Sequence, residues 1–222
     1  MLREPKLGAR APSTVRSRST EVVIDSFLEE EGFIGSAGEF ARSVMEESGL
    51  TRAGKTRVAS VKLARARELL RHRLARLCVE CVYAPEGDGR EIVRVPADAC
   101  EVCAGSRNQR AGVLAGRAMC DAGVRRLLVL GGTPKTHSSL RNVLKPSGVE
   151  VRCIDGRDGV RPVATVDADL TWGDVLVIWA STPLPHKVSQ LYTARAAGRL
   201  RAITIPHRGV EALCKGLVRL LR

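Results

Sequence analysis

"RRLLVLGGTPKTH", residues 125–137, joins a short apolar run to two glycines, a Thr-Pro pair and the start of a helical pattern. Similar apolar runs occupy 149–156, 174–181 and 201–206. Helix-length segments lie at 106–122, 136–147, 184–198 and 208–221, and the Asp- and Gly-rich connection 157–173 has room for only a short helix. Apolar strands that alternate with helices are typical of a parallel sheet covered on both faces. We therefore predict an α/β fold with a small doubly wound parallel sheet of four strands in the order 2-1-3-4.

Four cysteines precede this region in two Cys-x-x-Cys pairs, Cys78 with Cys81 and Cys100 with Cys103. A two-residue gap lets a tight turn aim both sulfurs at one cation, and four thiolates suit tetrahedral Zn²⁺. The intervening "GDGREIVRV" predicts a turn and a strand, as in a zinc ribbon. An iron–sulfur cluster or two separate redox pairs are the alternatives, but cluster spacings usually place three cysteines closer together. Cys120, Cys153 and Cys214 lie on apolar stretches and are expected to be buried fillers.

The first third of the chain is predicted to be helical and basic. Helices are expected at 22–31, at 36–48 with Ser36 as the cap, and over a long stretch at 53–77. Residues 52–77 carry nine Lys or Arg side chains and one acid, Glu68. Four basic residues are candidates for nucleic-acid contact: Lys62, Arg65, Arg73 and Arg76. A helix-turn-helix that reads a major groove and a helical hairpin with a solvated basic face both fit this pattern.

Net charge and amino-acid composition favour some classes of protein and exclude others. The net charge is +12, and residues 125–222 carry +9 of it, so a polyanion is attracted most strongly there. A solvated arginine-rich surface is the alternative. The apolar runs are too short to span a bilayer, no secretory signal is recognisable, and seven cysteines without an export signal favour thiols or metal ligands. We expect a cytoplasmic protein without a membrane partner.

The pattern Thr-Pro-x-x-His occurs twice, at 133–137 and 182–186, each time after a predicted strand. In an open parallel sheet, ligands bind beyond the carboxyl ends of the strands, where strand order reverses. Glycines and helix N-termini there favour an anion. The candidate ligand-binding residues are Gly131, Gly132, Thr133, Lys135, His137, Thr182, His186, His207 and Arg208. Thr and Pro also begin helices for backbone reasons alone, with Thr136 as a possible cap.

The segment from about 125 to 221 resembles an uncharacterised bacterial family of Rossmann-like domains of unknown function. The resemblance rests on "LLVLGG", "DVLVIWASTPLPHKVSQLYTARAAG" and "IPHRGVEALCKGLVRL". It implies a Rossmann-like fold, a family position for His186 after the third strand, and a final turn at Gly209. It does not include the basic helices or the four-cysteine module. The expected domains are a disordered basic arm (1–20), a helical basic region (21–77), a zinc-ribbon-like module (78–105) and a Rossmann-like domain (106–222).

These features favour a zinc-containing, non-enzymatic nucleic-acid-binding protein, a subunit of a bacterial genome-defence or repair assembly with protein partners. Phosphates would contact the basic helix and the carboxyl edge of the sheet. The first alternative is an enzyme in which His137 and His186 act on a phosphoester or nucleotide, although only Asp155 and Asp158 lie close enough to assist a histidine base. The second alternative is a nucleotide-sensing regulatory domain.

Overall fold

The computed structural model describes residues 20–82, 89–180 and 183–221, without the side chain of Asp158. The predicted arm therefore lies outside the described residues except for Thr20, and so does Thr182. The described part of the chain has two hydrophobic regions, one built from residues 24–103 and the other from residues 111–217. None of its helices is long and apolar enough to span a bilayer.

The second region is a four-stranded parallel sheet with five helices, which confirms the mixed α/β prediction. Its strands are β5 (Arg126–Leu130), β6 (Glu150–Ile154), β7 (Val175–Trp179) and β8 (Arg201–Ile205). Its helices are α4 (Arg107–Asp121), α5 (Pro134–Leu144), α6 (Val163–Trp172), α7 (His186–Ala196) and α8 (Val210–Leu221). The strands lie in the order β6-β5-β7-β8, and every neighbouring pair is parallel.

Alternation along β5 explains how helices cover both faces of this sheet. Leu127 and Val129 pack with α4, α5 and α8, whereas Leu128 and Leu130 pack with α6 and α7. All four side chains are fully buried, which is why this strand reads as a continuous apolar run. The connection 157–173 holds more than the short helix expected, because α6 spans ten residues after a 3₁₀ turn at Gly156–Asp158.

The first region has less helix than the sequence predicts. Its elements are β1 (Glu21–Val23), α1 (Ile24–Glu30), α2 (Ser36–Glu47), β2 (Arg57–Ala59), α3 (Leu63–Arg73), β3 (Leu74–Leu77) and β4 (Glu91–Arg94). The strands β1 and β2 are antiparallel, and β3 and β4 are parallel. The predicted helix 53–77 is therefore wrong at both ends, since strand pairing overrides its helical pattern.

Three local predictions in this region also need correction. Val22 and Val23 belong to β1, so the first helix begins at Ile24. The N-cap of α2 is Gly35, at φ 60°, and Ser36 is the first helical residue. The link between α2 and α3 contains β2 and a 3₁₀ turn, which is longer than the three- or four-residue turn typical of a helix-turn-helix.

Candidate metal centre

The four cysteines of the two Cys-x-x-Cys pairs converge on one point. Their sulfur atoms all lie within 4.8 Å of one another, and all four residues are buried. The Sγ atoms of Cys78 and Cys103 are 3.8 Å apart. In a tetrahedron with metal–sulfur bonds of about 2.3 Å, the sulfur–sulfur edge is about 3.8 Å. The cluster therefore has the size that one tetrahedral metal ion needs.

Parallel pairing of β3 and β4 brings the two cysteine pairs together. The register runs from Leu74 opposite Glu91 to Leu77 opposite Arg94, so both strands end at the same edge. Cys78 follows β3 directly, and Cys100 follows β4 after a 3₁₀ turn at Ala97–Ala99. The strand predicted between the pairs is present as β4, whereas the predicted turn at 87–89 lies mostly outside the described residues. The expected convergence of the cysteines is correct.

Each cysteine pair is shaped by a tight turn. In the first, the backbone N–H groups of Cys81 and Val82 both donate to the Cys78 carbonyl, each at 3.0 Å. In the second, the Ala104 N–H donates to the Cys100 carbonyl at 2.9 Å. Ala104 has φ 43°, the one positive φ at a non-glycine residue in the described chain. Such strained backbone persists where surrounding structure imposes it, here at the second cysteine turn.

The pKa values of Cys81 and Cys100 are shifted in opposite directions. Burial raises the pKa of Cys81, and contacts with Cys78 and Cys100 raise it further. Burial also opposes ionisation of Cys100, but backbone N–H groups, led by that of Cys78, outweigh burial and lower its pKa to about 7. Four crowded thiolates repel one another, so all of them ionise together only around a cation. No other group of three or more metal-binding side chains gathers in the part of the chain that the structure describes.

His137 does not face a crevice as the predicted anion site requires. Its ring is buried, and Nε2–H donates to the Gly131 carbonyl at 2.8 Å. Gly131 and Gly132 have φ 100° and 91°. A Cβ on Gly131 would lie 2.4 Å from the Trp179 carbonyl oxygen, and one on Gly132 would lie 2.9 Å from His137 Nε2. Packing inside the protein therefore accounts for both glycines and for the histidine.

The N-terminus of α5 satisfies its own backbone groups. Thr133, and not Thr136, is the N-cap, and its hydroxyl accepts from the Thr136 N–H at 3.3 Å. The Thr136 hydroxyl accepts in turn from the Thr133 N–H at 2.8 Å. Pro134 has no N–H to offer a ligand. This capping box weakens the case for an anion at α5, where Lys135 remains exposed.

The remaining edge candidates are exposed. His186 is the first residue of α7, which no side-chain hydrogen bond caps, and His207 and Arg208 follow β8. The His207 carbonyl accepts from the Trp179 indole N–H at 3.0 Å, which holds its backbone and leaves its ring exposed. Thus His137 and His186 differ in setting, because His137 is buried near the start of α5 and His186 is exposed at the start of α7.

Asp155, the acid of this edge whose side chain the structure describes, bonds a neighbouring residue. The Asp155 carboxylate accepts hydrogen bonds from the side chain and the backbone N–H of Arg157. These bonds, with a smaller contribution from His137, lower the pKa of Asp155 to about 2. A Cβ on Gly156 would lie 1.9 Å from the Leu184 side chain, so the loop before α7 packs against the loop that follows β6. Leu184 therefore occupies part of the edge where a ligand was expected.

The four candidates for nucleic-acid contact separate into two kinds. Lys62, Arg65 and Arg73 are exposed. Lys62 Nζ donates to the Leu50 carbonyl at 3.2 Å, and the Arg73 guanidinium lies 3.9 Å from the Glu47 carboxylate. Arg76 lies on β3, so its placement on the basic helix is wrong. Its guanidinium donates to the Glu31 carbonyl and stacks on the Phe33 ring, 5.4 Å from the centroid. Arg76 therefore stabilises the first region.

Two polar groups that the sequence did not single out are central to packing. Asp169 is buried and accepts from Arg152 at 3.0 Å, Arg161 at 3.2 Å and the Tyr192 hydroxyl at 2.8 Å. Arg110, near the start of α4, contacts Glu80 and Cys103. Several of these partners are distant in the sequence, so no local pattern marks the two residues.

The other three cysteines fit their expected structural role in part. Cys214 is buried, and burial raises its pKa to about 12. Cys153 is half-buried, and burial raises its pKa to about 11. Cys120 is also half-buried, with its sulfur 3.2 Å from an Arg125 guanidinium nitrogen.

Comparison with protein-family models, curated proteins and solved structures finds no match to this chain.

Proposed function

We propose that this protein carries one structural Zn²⁺ ion on Cys78, Cys81, Cys100 and Cys103. The buried, four-sulfur cluster within 4.8 Å is the observation that supports the proposal. When bound, zinc would supply four bonds to thiolates and no open position for a substrate, which is the donor set of structural sites. Thiolate ligands suit both zinc and iron. Sulfur atoms this close together fit a single metal ion and leave no room for an iron–sulfur cluster between them.

Within this proposal, the protein's own residues orient the sulfurs and exclude water. The turn after β3 and the turn after β4 aim two sulfurs each, and the cysteines pack into the same core as Leu70, Leu74 and Val93. A metal cross-link would therefore join two chain segments that already belong to one core. A chelator added to the folded protein should raise amide hydrogen exchange at residues 74–82 and 91–103, since the free energy of metal binding is largely folding free energy. Unchanged exchange after complete metal removal would refute a structural role.

Nucleic-acid binding through phosphates is the second part of the proposal. It is supported by the net charge of +12 and by Arg65 and Arg71, which are exposed on α3. Both lie away from Ala66 and Leu70, which α3 buries. Lys135, Lys187 and Arg208 add exposed positive charge near the carboxyl edge of the sheet. Charge alone favours phosphate contact over base readout.

Charge reversal tests the nucleic-acid proposal. The double change Arg65→Glu and Arg71→Glu should weaken binding to unrelated DNA and RNA duplexes to a similar extent. It should also lower the slope of log K against log salt by about 0.7–0.9 for each phosphate that the variant no longer binds. Arg94→Glu, at an exposed position on β4, is the matched control for a basic-to-acidic change. Equal binding by the double variant and the unchanged protein would refute phosphate binding by α3.

Two further parts of the proposal concern the fold of the second region and the partners of the protein. The strand order β6-β5-β7-β8, with helices on both faces, supports the doubly wound interpretation and the proposed kinship with Rossmann-like domains. Membership of a defence or repair assembly in the cytoplasm remains our proposal, and the lack of a disulfide at any of the seven cysteines agrees with a reducing compartment. Purification from the native host should recover both protein partners and nucleic acid. Recovery of the chain alone would count against an assembly.

Two of the described candidates, His137 and Asp155, do not support the enzymatic alternative. The Nε2 atom of His137 is committed to the Gly131 carbonyl, and the Asp155 carboxylate is bonded to Arg157. Neither group is therefore placed as a base for a phosphoester.

A further inference from the structure

Arg110 is the residue of α4 that contacts both cysteine turns. Its guanidinium lies 2.8 Å from the Glu80 carboxylate, which stands between the first two cysteines. Its Nη2 atom lies 3.9 Å from Cys103 Sγ in the second turn. The side chain is only 17 % exposed, and its buried Nε has no hydrogen-bond partner within the described chain. A largely buried arginine thus ends against the sulfur cluster.

Charge gives this contact a role at the metal centre. Four thiolates around one divalent cation leave a net charge of −2, which is costly in a buried setting. Glu80 adds a further negative charge beside the cluster, so a cation is needed on this side. An arginine guanidinium is always charged in proteins, so Arg110 supplies that cation. Outer-shell hydrogen bonds to metal ligands orient those ligands and tune the site.

The same arginine connects the cluster to the second region. Arg110 belongs to α4, whose residues Ala111, Ala115 and Met119 lie in the core beneath the sheet. Near the start of the same helix, the Asn108 side-chain oxygen accepts from the Glu211 backbone N–H in the first turn of α8, at 3.1 Å. The cysteines belong to the other core. Arg110 is therefore a polar link from the cluster to α4, and through α4 to α8.

We propose that Arg110 is the positioning residue of the metal centre: it offsets the negative charge of the thiolate cluster through Cys103 and fixes α4 against the loaded site. The inference rests on the proposed metal binding. Loading of the cluster then determines how firmly the first turn of α4 is held, so that the metal stabilises the junction between the two hydrophobic regions.

Metal affinity tests the electrostatic half of this proposal. Zn²⁺ binding to the full chain is measured by competition with a chromophoric chelator, for the unchanged protein, Arg110→Ala and Arg117→Ala. The control, Arg117, is on the same helix, and its side chain is 44 % exposed beside Asp121. Arg110→Ala should weaken zinc binding about 10–100-fold, the usual loss for outer-shell changes, and Arg117→Ala should not. Equal affinity in all three proteins overturns the proposal.

Two further readouts separate positioning from general destabilisation. With Co²⁺ in place of Zn²⁺, loss of the guanidinium should move the thiolate-to-cobalt absorption to longer wavelength, because the sulfur lone pairs are then less stabilised. Chelation should raise hydrogen exchange at residues 107–111 in the unchanged protein and have a smaller effect there in Arg110→Ala. An unshifted spectrum, or an equal exchange response in both proteins, contradicts the inference. If the unchanged protein binds no zinc, the proposed function fails; if it binds zinc and Arg110→Ala matches it, only this inference fails.

Discussion

Gly131, at the end of β5, provides the sharpest test of the view that the glycine pair serves packing inside the protein. Gly131→Ala adds a Cβ that would lie 2.4 Å from the Trp179 carbonyl oxygen, at a residue with φ 100°. The disfavoured backbone costs roughly 1–3 kcal/mol, and displacement of the packed β7 backbone costs roughly 1–3 kcal/mol more. Gly148→Ala is the control, because Gly148 also has a positive φ, 71°, but no atom lies within 4 Å of its added Cβ. This control should cost about 1–2 kcal/mol.

Urea unfolding followed by tryptophan fluorescence measures both variants. Trp172 and Trp179 are the two tryptophans of the chain, and both belong to the second region, so the signal reports the part that Gly131 stabilises. The free energy of unfolding should fall by at least about 1 kcal/mol more in Gly131→Ala than in Gly148→Ala, since only the former meets a backbone atom. Equal losses would refute the packing explanation and return the glycines to a ligand-binding role.

Three further changes test other polar groups of the second region. His137→Ala should lower the free energy of unfolding by about 2–4 kcal/mol, since it leaves a cavity and an unpaired Gly131 carbonyl. The affinity for nucleic acid should not change. A variant of full stability that has lost this affinity would contradict the structural role of His137. Asp169→Asn should cost about 2–4 kcal/mol, because two arginines lose a carboxylate that is only 7 % exposed. Asp167→Asn on the same helix removes a carboxylate that is 30 % exposed and should cost clearly less; equal costs would contradict the importance of the Asp169 network. Asp155 has a pKa lowered to about 2, so its stabilising contribution is complete above about pH 4 and is lost as the pH falls toward 2. Asp155→Asn should flatten acid unfolding in that interval, and an unchanged profile would exclude the contribution.

The parts of the fold that follow from local pattern were predictable. A strand buried on both faces must be apolar throughout, so β5 and β7 are evident from sequence. The convergence of the four cysteines was also predictable, because a Cys-x-x-Cys turn is local chemistry and its repetition within one chain indicates a shared site.

Features that depend on long-range pairing were not predictable. Leu74 and Leu77 continue the helical spacing of α3, yet they pair with Glu91 and Arg94 and form β3. Their burial agrees with the pattern, and only their conformation differs. Similarly, His137 lies near the strand end where a ligand is expected, but its Nε2–H group donates to the Gly131 carbonyl. The sequence places such a side chain at the edge, whereas its orientation depends on the packing around Trp179.

Elemental analysis of the purified protein tests the central proposal most directly. Mass spectrometry of metals should find one zinc per chain, lost in Cys81→Ser and retained in Cys214→Ser, which changes a cysteine of the other core. The absence of bound metal, or iron in the place of zinc, would contradict the proposal of a structural zinc centre.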